Sequence, residues 1–427
     1  MREYWSIIVG GRGATKERPA YRSILDLGTE QIKALVLEFA GGQVLVVGAG
    51  REHWQPVDWE AEGSAFDVES MARSCDRALR QAEDMAAKVC DKQVVPDWVV
   101  VGVPNYLTMA EAFAVTHHRR NSEKRISDRE LREVVERAQR LALQQLAKKT
   151  GPHQSSQGLK IELLEANITD IRLDEHSVTN PRGLRGEKLT VAVFNVVALS
   201  SHLRSVGAVV EDLGLEVLAM ISGWQALASM LAESDAICID IGGKASDIVL
   251  VRNGKAWTTA SLPLGGNDFT KYLGEVFDLS WEDAESLKLA YSRGRVEEPL
   301  GTEVGEAMGL VMEVWLGGVE ATLNRLSGSH PLPYRLNICG GGSSLPGIIE
   351  AARSHPWMQG LNFARHPQVR LVQPSEVSRV LDRTGQLRGQ QDVAPLALAG
   401  YTMADNAKLD SLERLLWPPS SSSPGGR

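Results

Sequence analysis

The stretch "AICIDIGGKASDIVLV" (residues 236–251) decides how this chain is read. One apolar run delivers Asp240 to a turn holding Gly242 and Gly243, and a second apolar run leaves that turn. Two strand-like runs around a short glycine turn predict a β-hairpin. Glycine at the bend is expected to take positive φ and to turn backbone N–H groups outward with no side chain in the way. Successive outward N–H groups form a concavity suited to phosphate oxygens. The adjoining carboxylate suits Mg²⁺, which keeps several waters and takes one or two carboxylates beside phosphate.

A single hairpin of this kind is common and says little. Its twin says more. "RSILDLGTEQIKALVLE" (22–38) has the same plan, with Asp26 in the place of Asp240 and Gly28 in the place of Gly242. Two copies predict two related lobes, each giving one phosphate-facing hairpin to a shared cleft. Asp26 and Asp240 are the candidate catalytic carboxylates, holding Mg²⁺ through its waters. The backbone around Gly28, Thr29, Gly242 and Gly243 is expected to hold phosphate. Lys33 either joins them or points along the strand face.

A third glycine cluster lies in "YRLNICGGGSSLPGIIEAARSH" (334–355). It reads as strand, turn and helix, with Ser343 or Ser344 as N-cap. Gly340, Gly341 and Gly342 allow close backbone approach to a flat group such as adenine or ribose; a plain strand–helix connection would look the same. "WEDAESLKLAYSRG" (281–294) reads as a helix with Glu285 and Lys288 on one face, either as a solvated ion pair or as part of a site.

Composition narrows the class. The chain has 427 residues, 43% hydrophobic and 23% charged, with formal net charge −8. That is ordinary globular composition with length for two or more cores, and nothing in it suggests a nucleic-acid binder. The four cysteines form no CxxC pair, and Cys238 and Cys339 sit in apolar runs as small buried hydrophobes. A reducing cytosol fits. No run approaches the about 18 apolar residues of a membrane span, so the protein is expected to be cytoplasmic or peripheral to a membrane. His117–His118, beside Arg119–Arg120, lack further ligands at metal spacing and read as surface residues. Ser127, Ser155 and Ser156 lack any nucleophile-elbow context.

Taken in order, the two Asp-x-Gly hairpins and the later glycine turn resemble the actin-like ATPase superfamily, where they are the two phosphate motifs and the adenosine motif. The implied fold is α/β: an actin-like (ribonuclease-H-like) two-lobe ATPase fold with an inserted small α+β subdomain. A narrower resemblance is to the bacterial cell-division family FtsA, with the pilus protein PilM as a close relative. In "LPLGGNDFTKYLGEVFDLSWEDAESLKLAYSRG" (262–294), Gly265, Gly266 and Thr270 match the GGxxxT turn of that family, and Ala284, Glu285, Leu287 and Lys288 match its AExLK segment. "RISDRELREVVERAQRLALQQLAKK" (125–149) reads as a charged amphipathic helix with Ser127 as N-cap and Glu130 completing a capping box. "NPRGLRGEKL" (180–189) matches the NPxGxxGxxL signature of the inserted subdomain at Asn180, Pro181, Gly183, Gly186 and Leu189.

The resemblance implies an N-terminal tail (1–20), a first lobe (21–104), the inserted subdomain (105–199), a second lobe with the nucleotide cleft (200–404) and a terminal segment (405–427). It implies ATP and Mg²⁺ as cofactors, with Gly340–Gly342, Glu285 and Lys288 bordering adenosine, Gly265 and Gly266 also among the cofactor-binding residues, and Ser246 in the second phosphate motif. It implies self-association into filaments, and a link from the tubulin-like protein FtsZ, through its C-terminal peptide, to the division machinery and to the inner face of the cell membrane at the division site. A PilM-like cytoplasmic adaptor and a small-molecule kinase of the same fold are the alternatives. No residue stands out to activate an attacking water, so at most slow ATPase activity is expected.

The chain departs from the family's DIGGGTTD run, with Lys244 at the third glycine and Ala245 at the first hydroxyl. Either Lys244 adds charge near the terminal phosphate or it projects to solvent beside a weakened pocket. The terminal "NAKLDSLERLLW" (406–417) balances acids and bases, which favours packing on protein over lying on a membrane. "PPSSSSPGGR" (418–427) has the composition of a disordered tail, and the N-terminal "EYWSIIV" is a second candidate contact.

Overall fold

The computed structural model describes residues 20–54, 67–149, 160–231, 235–328 and 331–402. The N-terminal and terminal-segment expectations, with Ser155 and Ser156, fall outside them. The strands in chain order are β1 (Tyr21–Leu27), β2 (Gln31–Ala40), β3 (Gln43–His53), β4 (Trp98–Val103), β5 (Thr108–His118), β6 (Ile161–Leu173), β7 (His176–Ser177), β8 (Lys188–Leu199), β9 (Glu216–Ser222), β10 (Ala236–Ile241), β11 (Ser246–Arg252), β12 (Lys255–Leu262), β13 (Arg335–Cys339), β14 (Gln368–Leu371) and β15 (Val380–Asp382). They form sheets in the orders β15-β3-β2-β1-β4-β9, β12-β11-β10-β13-β14 and β5-β8-β6-β7.

The described residues fall into two compact units, one drawn from Met1–Thr108 and Ala198–Met403, the other from Met109–Val197. The first unit holds the six- and five-stranded sheets, and each is built alike. A hairpin, β1–β2 or β10–β11, pairs antiparallel. Its first strand also pairs in parallel with a later strand, β4 or β13. β4 is a near-continuous apolar run because a central parallel strand is covered on both faces. In the second lobe the helix Leu300–Ser327 brings Trp315, Val319 and Leu323 onto Ile237, Ile239, Ile248 and Leu250. In the first lobe the helix Val68–Cys90 starts where the Asp67 carboxylate accepts from the Glu69 and Ser70 amides, an N-cap worth about 1 kcal/mol.

Two pieces of the stretch expected in the second lobe return to the first sheet. β9 pairs with β4, and β15 pairs with β3. Both are short strands whose partner is set by parallel pairing with distant sequence, which no local pattern encodes.

In the second unit the helix Asp128–Lys149 lays Leu131, Val134, Val135, Ala138 and Ala142 on Val191, Val193 and Leu163 of the sheet. Ser127 Oγ caps it, accepting from the Glu130 amide at 3.2 Å. The Glu130 carboxylate does not close the capping box. It takes Arg119 instead, at 2.6 Å from Nε and 3.2 Å from Nη2, and this hydrogen bond holds its pKa below the usual carboxylate range. Arg119 is therefore buried and not a surface residue. The 180–189 signature has a local explanation. Gly183 takes φ +76° and donates its amide to Ile126 O, and the Gly186 amide donates to Ser122 O. The signature thus clamps the loop that begins the helix.

Candidate functional site

Both hairpins turn in the same way. The Gly28 amide donates to Gln31 O at 3.1 Å, and the Gly242 amide donates to Ala245 O at 2.9 Å. None of Gly28, Gly242 and Gly243 has positive φ, contrary to the sequence expectation. Gly28 and Gly243 serve closeness instead. A Cβ on Gly28 would lie 2.5 Å from Gln31 O, and one on Gly243 would collide with the Glu30 side chain. Positive φ, +88°, occurs at Gly340, where a Cβ would also collide with the Asp240 carboxylate.

The elements meet at one cavity of about 950 Å³ inside the first unit. Asp26, Gly28, Thr29 and Lys33 line it from the first hairpin, and Asp240, Gly242, Gly243 and Lys244 from the second. Gly266, Glu285, Lys288, Gly340, Gly341 and Gly342 complete the expected set. Two expected residues are not brought to the wall. Ser246 is fully buried, donating to Leu264 O at 2.7 Å and accepting from Trp315 Nε1 at 2.9 Å, so it locks the hairpin to the core helix. Gly265 sits behind the hairpin, where a Cβ would press within 2.6 Å of Gly242 O and Gly243 O. The next amides, Gly266 and Asn267, donate to those two carbonyls at 2.9 and 2.8 Å.

Lys33 points into the site, 3.4 Å from Asp26 Oδ2. Lys288 is no solvated partner of Glu285. It is buried and donates to Gly266 O at 3.0 Å and Thr270 Oγ1 at 2.7 Å, besides its 2.6 Å ion pair with Glu285. Thr270 in turn donates to the Glu285 carboxylate. The GGxxxT turn and the AExLK segment therefore form one network tying the helices Gly266–Phe277 and Trp281–Ser292 to the second hairpin. Ser343 and Ser344 cap no helix: Ser343 Oγ donates to Gly340 O at 2.7 Å, and Gly347 precedes the helix Ile348–Ser354.

The electrostatics are acidic at the second hairpin. Asp240 faces Asp247 across the ladder. Burial first, then the Asp247 carboxylate, push Asp240 up to about 7, with Lys33 opposing and Asp26 adding. Burial also raises Asp247, against hydrogen bonds from Asn105 and Ser261. Lys244 is exposed on the cavity wall; partial desolvation lowers its pKa, and Glu30 counters this. Among the described residues no cluster of three His, Cys, Asp or Glu could hold a metal alone, and none of their helices is long and apolar enough to cross a membrane.

Sequence reasoning missed several groups. Asp247 was visible as the end of the motif, but its inward direction follows from its register opposite Asp240. Glu30 reaches across to accept from Asn267 Nδ2 at 2.7 Å, and Trp281 lines the wall one turn before Glu285. Asn105, which follows Pro104 on leaving β4, carried no local signal.

By fold the chain is an actin-like α/β protein. Its structure resembles a chain of the PilM–PilN type IV pilus biogenesis complex, with TM-score 0.61 and 18% identity over 91% of this chain and 100% of that one. In sequence it is similar to the FtsA proteins: the model of "Cell division protein FtsA" matches residues 237–388. Relatives named Cell division protein FtsA include those of Enterococcus hirae, 23% identical over 89% of this chain and 86% of the relative, and Pseudomonas aeruginosa, 25% identical over 92% and 95%. The Bacillus subtilis protein is 24% identical over 77% and 75%. The resemblance drawn from residues 180–189 and 262–294 thus extends over nearly the whole chain.

Proposed function

We propose that the chain binds ATP with Mg²⁺ between the twin hairpins and acts as an FtsA-type scaffold of bacterial cell division. The observation that carries the nucleotide reading is the convergence of both Asp-x-Gly hairpins and the Gly340 turn on one cavity. Its fit is supported by backbone packed too closely for any Cβ at Gly28 and Gly340, and by a carboxylate pair, Asp26 and Asp240, beside one lysine. The cation would neutralise phosphate charge there; Asp26 and Asp240 would hold its waters. The amides of Thr29, Gly243 and Lys244 and the Lys33 ammonium would face phosphate. Gly341, Gly342, Glu285 and Lys288 would border the nucleoside. Nucleotide would set the balance between conformations of the lobes and not serve rapid turnover.

The division reading rests on the similarity to FtsA proteins along the chain. It places the protein in the cytoplasm on the membrane's inner face, self-associating into filaments and binding the FtsZ C-terminal peptide. Titration calorimetry should give saturable Mg²⁺-dependent ATP uptake, lost in the Asp26→Asn, Asp240→Asn double variant; uptake unchanged in that variant would refute the site. Sedimentation with ATP on lipid vesicles tests the filament. The second reading, a PilM-like adaptor, is favoured by the structural likeness covering all of the PilM–PilN chain. Capture by an FtsZ tail peptide against capture by a PilN cytoplasmic peptide separates the two.

A further inference from the structure

We propose that the Lys244 side chain binds the terminal phosphate of a nucleoside triphosphate and so raises the cavity's preference for triphosphate over diphosphate. This deepens the nucleotide reading above and rests on it. The twin hairpins carry the argument. Leu27 pairs with Ile32 across the first ladder and Ile241 with Ser246 across the second, which leaves four residues in each turn. The Gly28 amide closes one turn onto Gln31 O, and the Gly242 amide closes the other onto Ala245 O. Thr29 and Glu30 therefore form the apex of the first turn, and Gly243 and Lys244 the apex of the second. Equivalent positions carry opposite charges, Glu30 and Lys244, and both line the cavity.

Glu30 is fixed independently of Lys244. Its carbonyl accepts from the Trp54 amide at 3.1 Å, and its carboxylate accepts from Asn267 Nδ2 at 2.7 Å. Its side chain lies across the second turn, where a Cβ on Gly243 would collide with it. The Asn267 amide in turn donates to Gly243 O at 2.8 Å. Lys244 is exposed on the cavity wall, and the Glu30 charge favours its ammonium against partial desolvation. An exposed attraction of this kind is weak, and the flexible lysine stem can carry its point charge to a stronger partner.

Sheet order says which phosphate that partner is. β10 lies between β13 and β11. The turn after β10 therefore carries the chain away from β13 and toward β11. The nucleoside borders Gly341 and Gly342, which follow β13, so Lys244, the third residue of the turn, is displaced toward the far end of the phosphate chain. Charge points the same way. Asp26, Asp240, Asp247 and Glu30 all line the cavity, and Lys33 already pairs with Asp26 at 3.4 Å. A third phosphate brings further negative charge into this field, and a cation beside it gains a charge-assisted contact. Lys244 supplies that cation from the second hairpin. A diphosphate ends one phosphate short and leaves Lys244 facing Glu30.

The test uses the full chain and two substitutions that keep the Lys244 amide, Lys244→Gln, which removes the charge, and Lys244→Arg, which keeps it. Calorimetry gives the affinity of each for Mg-ADP and for a non-hydrolysable ATP analogue with Mg²⁺. The expected result is that the ratio of analogue affinity to ADP affinity falls about tenfold in Lys244→Gln and returns to within about threefold of the parent in Lys244→Arg. An unchanged ratio in Lys244→Gln would overturn the assignment and show a lysine that only projects to solvent. Equal weakening of analogue and ADP would also overturn it, because the charge would then attract any phosphate alike. So would a ratio in Lys244→Arg as low as in Lys244→Gln. In each of these outcomes the parent still binds nucleotide and the cavity reading stands. Failure of the parent to bind any nucleotide would instead refute the site itself, and this proposal with it.

Discussion

The two hairpins share a plan and differ in what stands opposite each aspartate. Across the first ladder Asp26 faces Lys33, and across the second Asp240 faces Asp247. Opposite charges directly across a ladder stabilise it, and like charges oppose it. The first hairpin thus pairs opposite charges, whereas the second carries two half-buried carboxylates whose repulsion a cation would relieve. The sheets also end differently. Beyond β4 the chain supplies Asn105, whose carboxamide donates to Asp247. Beyond β13 it supplies Gly340–Gly342, bare backbone for close approach. One architecture, used twice, ends in a polar side chain in one sheet and in bare backbone in the other.

The largest expected effect breaks the second half directly. Gly340→Ala forces a side chain into left-handed backbone and against Asp240, and should destabilise the protein by about 3 kcal/mol or more and abolish ATP uptake. Denaturant unfolding and calorimetry check both. Next comes the contrast in charge. Because folding raises the Asp240 pKa to about 7, its contribution is most favourable below its unfolded value and is lost as pH rises through about 7. Without nucleotide or divalent cation, Asp240→Asn should therefore exceed the parent by about 1.5 kcal/mol near pH 5 and by roughly 4 kcal/mol above pH 8. Unfolding at the two pH values decides this, and an equal gap at both would refute the raised pKa, which burial causes first and Asp247 second. Asp26→Asn should show no such gain, since it strips Lys33 of its partner.

The turn glycines sharpen the comparison further. Gly28→Ala sets a Cβ 2.5 Å from Gln31 O, whereas Gly242→Ala sets one 3.1 Å from Ala245 O. The first substitution should lower stability by about 2 kcal/mol and the second by under about 1, measured by chemical denaturation. The smallest effect concerns the bond between lobes. Glu30→Ala removes the acceptor of Asn267 and should lower stability by about 1 kcal/mol, with Mg-ATP affinity changed by less than about threefold.

How much was legible beforehand follows from these same residues. Asp26, Asp240 and the glycine turns could be read because hairpins are local and their residue types follow from backbone geometry. Lys288 could be placed on a helix face, but its burial against Gly266 and Thr270 depends on how two helices pack. Ser246 was misread because a hydroxyl in a phosphate motif and a hydroxyl bonded to Trp315 look alike in sequence. The glycine turns were rightly located but for the wrong reason: at Gly28 and Gly243 the requirement is a close neighbour, not an unusual φ.

The sequence by itself determined the doubled hairpin, the glycine turn after β13, the capped helix of the inserted unit and the likeness to FtsA, since each is written within a few dozen consecutive residues. Only the tertiary structure decided that β9 and β15 return to the first sheet, that Asp247 opposes Asp240 inside the cavity, and that Asn105 meets Asp247. Those contacts join residues more than a hundred positions apart, or depend on which face of a ladder points inward. Long-range parallel pairing and cavity closure fix them, and local propensity does not.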